Sequence, residues 1–283
     1  MKKISFSLLA LCLFYFSSAQ RPPQTQLNGN YVKEHILTKF NIPYPYLREA
    51  DVMYAKRVWQ VIDLRQKMNH PLYFPIEPGD DRLSLFDVIR HSLLVDQSMI
   101  AFGLGPIDND DEFRYPLSHK QIDSLLNPIV EITYQSLNTE EDTSEYVPNP
   151  ITSDVITQYK IKEDWIFDKQ RSEMYVRIIG IMPMKEDYDD EGTKRGYREL
   201  FWLYYPNARY TLVNYPIFNP KNGALPLSFD DYFQKRLFAS YIVKEENVYN
   251  RSILSYSRGV DALLEAEKIK EELFRTEHDL WSY

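Results

Sequence analysis

Cysteine is nearly absent. Cys12 is the only one among 283 residues, and it stands in a stretch expected to be removed. Without it the chain has no thiol, which excludes disulfides, cysteine nucleophiles, thiolate zinc sites and iron–sulfur ligation together. Glycine is scarce too: nine residues, under half of the usual share of about 7%, leave little material for phosphate-cradling loops. Beyond the N-terminus no apolar run approaches 18 residues; Leu200 to Tyr205 is among the longest, so no spanning helix is expected. Positive charge is also short. Thirty-three Lys+Arg against 41 Asp+Glu give a net charge of −8, which argues against broad contact with nucleic-acid phosphates or anionic lipid. What is abundant is aromatic, with 22 Tyr and 15 Phe in a chain that is 44% apolar and 26% charged. That balance is of a folded domain, not a disordered one.

The first nineteen residues read as a secretory leader. Lys2 and Lys3 form a basic start, Phe6 to Phe16 is an apolar run broken by Ser7, and Ser17 and Ala19 are small residues placed for cleavage before Gln20. The run is too short to span a bilayer. Leu11 before Cys12 is not the small residue that a lipid-anchoring signal wants. Loss of Lys2 and Lys3 with the leader would take the net charge from −8 to −10. The expected product is exported and held together by its core or its partners.

Pattern along the rest predicts an α+β fold: a helical N-terminal part, a central antiparallel sheet with hairpins, and a helical C-terminal part. Residues 20–47 read as an extended arm, with Pro43 and Pro45 opposing a helix. A single domain follows over 48–283, helical to 127, mostly strand over 128–220, and helical again over 228–283. From Arg48 to Met68, Val52, Ala55, Trp59 and Ile62 suggest one helical stripe, and Ala50, Met53, Val61, Leu64 and Met68 another. Ser84 and Ser118 resemble capping boxes, placing helix starts at Leu85 and His119. Pro128 to Leu137 reads as a strand, followed by a polar, acidic loop over Asn138 to Pro150. The alternation from Val155 to Lys162 is that of a half-buried strand, and Trp165–Phe167 with Met174–Met182 form a hairpin around Asp168-Lys169-Gln170. A second hairpin is expected between Tyr197–Tyr205 and Arg209–Tyr215. Ser228 should cap a helix reaching about Ile242, and Gly259 should precede a last one. There, Ala262, Ala266, Ile269 and Leu273 share one stripe, while Val260, Leu263, Leu264 and Phe274 lie away from it.

Catalytic patterns are missing. His35, His70, His91, His119 and His278 stand far apart, without the i,i+4 pair that a helix offers to zinc. There is no Gly-x-Ser-x-Gly elbow, and Gly103-Leu104-Gly105 is a lone turn signal. Asp187 to Gly192 places acids at loop positions 1, 3 and 5 with glycine at 6, yet position 12 is Arg198 instead of a bidentate Glu. Asp108 to Glu112 lacks the glycine. Both read as solvated loops, so no metal, cofactor or catalytic residue is expected.

Three segments together resemble a known family. They are Lys56-Arg57-Val58-Trp59-Gln60-Val61-Ile62-Asp63-Leu64-Arg65 leading to Met68-Asn69-His70-Pro71-Leu72-Tyr73-Phe74-Pro75, then Tyr197-Arg198-Glu199-Leu200-Phe201-Trp202-Leu203-Tyr204, and Asp261-Ala262-Leu263-Leu264-Glu265-Ala266-Glu267 leading to His278-Asp279-Leu280-Trp281. They resemble the GldN (PorN) family of the gliding and type IX secretion machinery of Bacteroidota. The resemblance implies a non-enzymatic periplasmic component, present in several copies within a ring under the outer membrane. Its implied partners are an outer-membrane lipoprotein of the GldK/PorK type and the periplasmic part of GldM/PorM. It implies neither nucleic acid nor a membrane span. The expected partner contacts are Trp59, Leu263, Leu264, Phe274 and Trp281, because a helix apolar on two sides needs two covers. The competing classes are an exported carbohydrate-active enzyme and a glycan- or calcium-binding module.

Overall fold

The computed structural model describes residues 39–79, 82–106, 110–135, 142–189, 192–219 and 227–280. The expected leader, the arm up to residue 38 and Trp281 lie outside them. In chain order the strands are β1 Val52–Asp63, β2 Ala101–Gly103, β3 Tyr115–Pro116, β4 Ile129–Gln135, β5 Asp142–Pro148, β6 Ile156–Asp168, β7 Glu173–Tyr188, β8 Lys194–Glu199, β9 Trp202–Tyr204, β10 Pro216–Ile217, β11 Leu227–Ser228 and β12 Tyr241–Glu245. The helices are α1 His70–Tyr73, α2 Leu85–Leu94, α3 His119–Leu126, α4 Tyr205–Leu212, α5 Phe229–Gln234 and α6 Val260–Leu280. An eight-stranded antiparallel sheet runs β12-β1-β6-β7-β9-β2-β3, with β8 also on β7. The fold is α+β, as expected.

Its centre is the β6–β7 hairpin, whose ladder runs from Ile156↔Lys185 to Asp168↔Glu173. The turn falls where Asp168 accepts from the Gln170 amide, close to the expected position. The helix starts at Leu85 and His119 are also met: Ser84 Oγ accepts from the Asp87 amide at 3.1 Å, and Ser118 and Gln121 form a reciprocal box.

Several expectations are corrected. Arg48–Met68 is not a helix: its middle is β1, flanked by β12 and β6. A strand buried on both faces has consecutive apolar residues, and Val58 to Ile62 mimics a helix with two stripes. Arg209–Tyr215 is not a strand, because Pro206 sits at the start of α4, where its missing N–H is harmless. The helix capped by Ser228 ends at Gln234, since Arg236 turns left-handed at φ 50°, and the chain re-enters the sheet as β12. Part of the acidic stretch after Asn138 is β5, paired with β4 from Ile129↔Pro148 to Gln135↔Asp142.

Side chains alternate across β1. Val58, Gln60 and Ile62 face one way, and Trp59 and Val61 the other. On the first face Ile62, Tyr159, Ile161 and Leu203 pack under α2, α4 and α5, with Phe86, Ile89, Phe229 and Phe233 in the same core. Further along that face Val58 and Ile242 meet α6. The opposite face carries Trp59, Met182 and Trp202 beneath Leu104 and Phe113. Gly180 is required there: a Cβ would stand 2.7 Å from Phe113 Cζ.

Candidate functional site

Helix α6 starts after Gly259, which takes a left-handed φ of 60°. At 3.6 residues per turn, Ala262, Ala266, Ile269 and Leu273 fall within one narrow sector. All four are buried against Val58, Ile242 and Ile253, with Tyr54 and Trp165 alongside. The other stripe has no cover among the described residues: Val260 is 71% exposed, Leu263 57%, Leu264 63% and Phe274 68%. The sequence therefore located both faces of this helix. Glu267 and Glu271 divide the outer stripe, each beside a cation, Lys270 at 3.8 Å and Arg275 at 2.8 Å. The result is an apolar patch at the start of the helix and a separate phenylalanine further along.

The segment leading into α6 carries exposed apolar residues of its own. Val248, Tyr249, Leu254 and Tyr256 are exposed, and the 3-10 turn Ile253–Ser255 lies against the helix. Arg251 stands 4.9 Å from the Tyr249 ring and 4.7 Å from that of Tyr256. An aromatic and arginine cluster of this kind is the composition favoured at binding hot spots. Nothing in the sequence periodicity marked these residues, because they stand on no regular element.

Trp59 is elsewhere. It belongs to a strand and is only 5% exposed, on the sheet face away from α6. Lys244 lies 4.3 Å and Lys162 5.6 Å from its ring. Burial pushes both ammonium groups below the ordinary lysine value, and the nearby Asp111 carboxylate opposes it. Lys162 also donates to the Asp111 carbonyl at 2.6 Å, fastening the loop that carries Phe113 over the sheet. Trp59 is thus core in this chain, which corrects its expected place on a partner-facing helix. Trp281 lies beyond the described part of α6.

The arm was expected to be extended, but the clasp that holds it was not foreseen. The segment from Lys39 to Arg48 is held by polar groups, of which the Arg209–Asp230 pair is buried. Arg209, paired with Asp230 at 2.8 Å, donates to the Ile42 carbonyl at 2.6 Å, and Arg177 donates to that of Pro45 at 2.6 Å. The Tyr44 ring lies 4.5 Å from the Arg209 guanidinium and 5.3 Å from that of Arg177. Lys39 pairs with Asp231. Phe40, Ile42 and Tyr46 point outward and are exposed.

A family model described as gliding motility associated protein GldN matches residues 47–282. The chain belongs to the GldN family. Among curated proteins, none matches it. The matched span takes in β1, the whole sheet and α6, so the GldN family model includes both faces of that helix. Membership makes this a gliding-motility-associated protein. Among the described residues no three His, Cys, Asp or Glu side chains group as a metal site, and no helix is long and apolar enough to cross a membrane. The histidines are scattered: His91 stands 3.1 Å from Asp96, while His119 Nε2 meets the Leu94 carbonyl at 3.1 Å.

Proposed function

We propose that this GldN-family chain is a non-enzymatic periplasmic component of the type IX secretion and gliding machinery. It assembles with an outer-membrane lipoprotein of the GldK/PorK type into a ring-like complex and meets the periplasmic part of GldM/PorM. The observation that carries the reading is the outer face of α6. Its inner stripe is already used by the sheet, yet Val260, Leu263, Leu264 and Phe274 remain in water together with Val248, Tyr249 and Leu254. Exposed apolar residues gathered on one helix face, as at Val260, Leu263 and Leu264, mark protein contacts. Their polar surroundings, Lys270–Glu267 and Arg275–Glu271, suit the rim of an interface.

Fractionation of detergent-solubilised envelopes by size is the test. The protein should elute with the lipoprotein in very large complexes. Elution as a small particle free of the lipoprotein would favour an exported enzyme or binding module and end the assembly reading.

A further inference from the structure

Beside β8 the sheet has an unpaired edge among the described residues. β8 and β9 share the same side of β7, and β9 continues into β2, whereas β8 has no outer partner among the described strands. At that place a groove of about 990 Å³ opens between Arg198–Leu200, the Leu104–Pro106 turn and α3. Gly105, at φ 73°, lets the turn press against Tyr115; a Cβ there would lie 2.8 Å from its ring. An unpaired strand edge beside a groove is a template for an added strand.

The charges lining it are unbalanced. Lys185 and Arg198 stand directly opposite each other on β7 and β8, an arrangement that costs stability when no anion lies between them. Neither has an ion pair or side-chain hydrogen bond among the described residues, and the same holds for Lys120 across the groove. The one carboxylate on the wall, Glu199, is taken by Lys160 at 2.6 Å. Among the described residues the groove thus has unpaired positive charge and an open strand edge.

The same chain carries a segment complementary to both. Residues 121–159 contain seven carboxylates and no lysine or arginine. Their strands, β4 and β5, form a two-stranded ladder that no third strand joins among the described residues, and Ile129 and Tyr146 are exposed on it. A lone hairpin is marginal in water and gains from a third strand. Its root, Pro128, lies on the rim of the groove, and none of the strand residues 129–148 lines it.

We propose that the groove receives the β4–β5 hairpin of a second copy, with a hairpin edge extending the sheet at β8 and its carboxylates neutralising Lys185 and Arg198. This deepens the assembly reading and rests on it for the meeting of copies. Two double variants of the full mature chain test it by sedimentation at low and high salt, with lipoprotein capture measured alongside. One carries Lys185→Glu and Arg198→Glu, which keeps the opposed like charges and hence the fold; the other carries Glu131→Lys and Glu145→Lys. The parent should self-associate more weakly as salt rises, each variant alone should lose about tenfold or more in association, and a mixture of the two should recover it. The milder Lys185→Gln with Arg198→Gln should show an intermediate loss if the Glu variant melts early. The proposal is overturned by a monomeric parent, by groove variants that associate like the parent, or by a mixture no better than its parts. It is equally overturned if the groove variant still self-associates but loses the lipoprotein, since the occupant is then an acidic segment of that partner. Self-association that follows this pattern in a protein absent from large envelope complexes would keep the contact and discard only the assembly reading.

Discussion

Glu163 is fully buried, and burial raises its carboxyl above the ordinary glutamate value, while Arg236 opposes the rise. Arg236 Nη1 donates to it at 2.8 Å, and Gln60 Nε2 donates at 2.9 Å. A carboxyl raised on folding contributes stability fully below its unfolded value, and that contribution is lost as pH rises through the folded one. Arg236 limits the loss by compensating the ionised form. Arg236→Met should therefore cost about 2 kcal/mol or more at neutral pH, below the 3–5 kcal/mol of a fully buried pair because Arg236 is partly exposed. The cost should shrink as pH falls from neutral into the acid range, because a protonated Glu163 needs no counter-charge. Thermal melts of both proteins across that range check it. A loss that is constant with pH would mean the pair does not titrate with folding.

Adjacent residues on α6 separate packing from contact. Leu273 is buried against the sheet and Phe274 is exposed. Leu273→Ala should destabilise the chain by about 2–5 kcal/mol. Phe274→Ala should leave the melt within about 0.5 kcal/mol and instead weaken co-purification with the lipoprotein or neighbouring copies, by about 30-fold if it is an anchor. If Phe274→Ala unfolds the chain, the outer stripe is core after all. α6 was legible because one buried stripe with a polar remainder has a single periodic reading. β1 was not legible by period, since covering both faces erases the alternation, although Val52, Tyr54, Val58, Trp59, Val61 and Ile62 are β-branched or aromatic and favoured a strand. The end of α5 depends on the φ of Arg236, which the residue type does not announce. The clasp on Tyr44 and the cations opposed across β7–β8 join distant parts of the chain, so no local pattern could reveal them.

The sheet closes the molecule end to end: β1, near the start of the family match, pairs with β12, which α6 then covers. Folding thus awaits a contact between Val58 and Glu245, far apart in the chain, whose loop closure must precede its reward. The arm stands outside this closure and outside the matched residues. It contributes Lys39–Asp231, the carbonyls of Ile42 and Pro45, and the Tyr44 hydroxyl that accepts from Gln234 at 2.9 Å. Its side chains Phe40, Ile42 and Tyr46 bury little. Arg209 keeps Asp230 when the arm is gone, so no buried charge is orphaned. Deleting residues 20–46 should therefore retain one cooperative transition, the hydrogen bonds lost from Lys39 to Tyr46 lowering it by about 1–3 kcal/mol. Deleting 241–280 should abolish the transition, because it bares the β1 edge and uncovers Val58. Calorimetry of the two truncated proteins decides between a strap and a structural strand. If the arm deletion also loses its transition, the guanidinium clasp on Tyr44 is part of the folding core and the closed sheet does not stand alone.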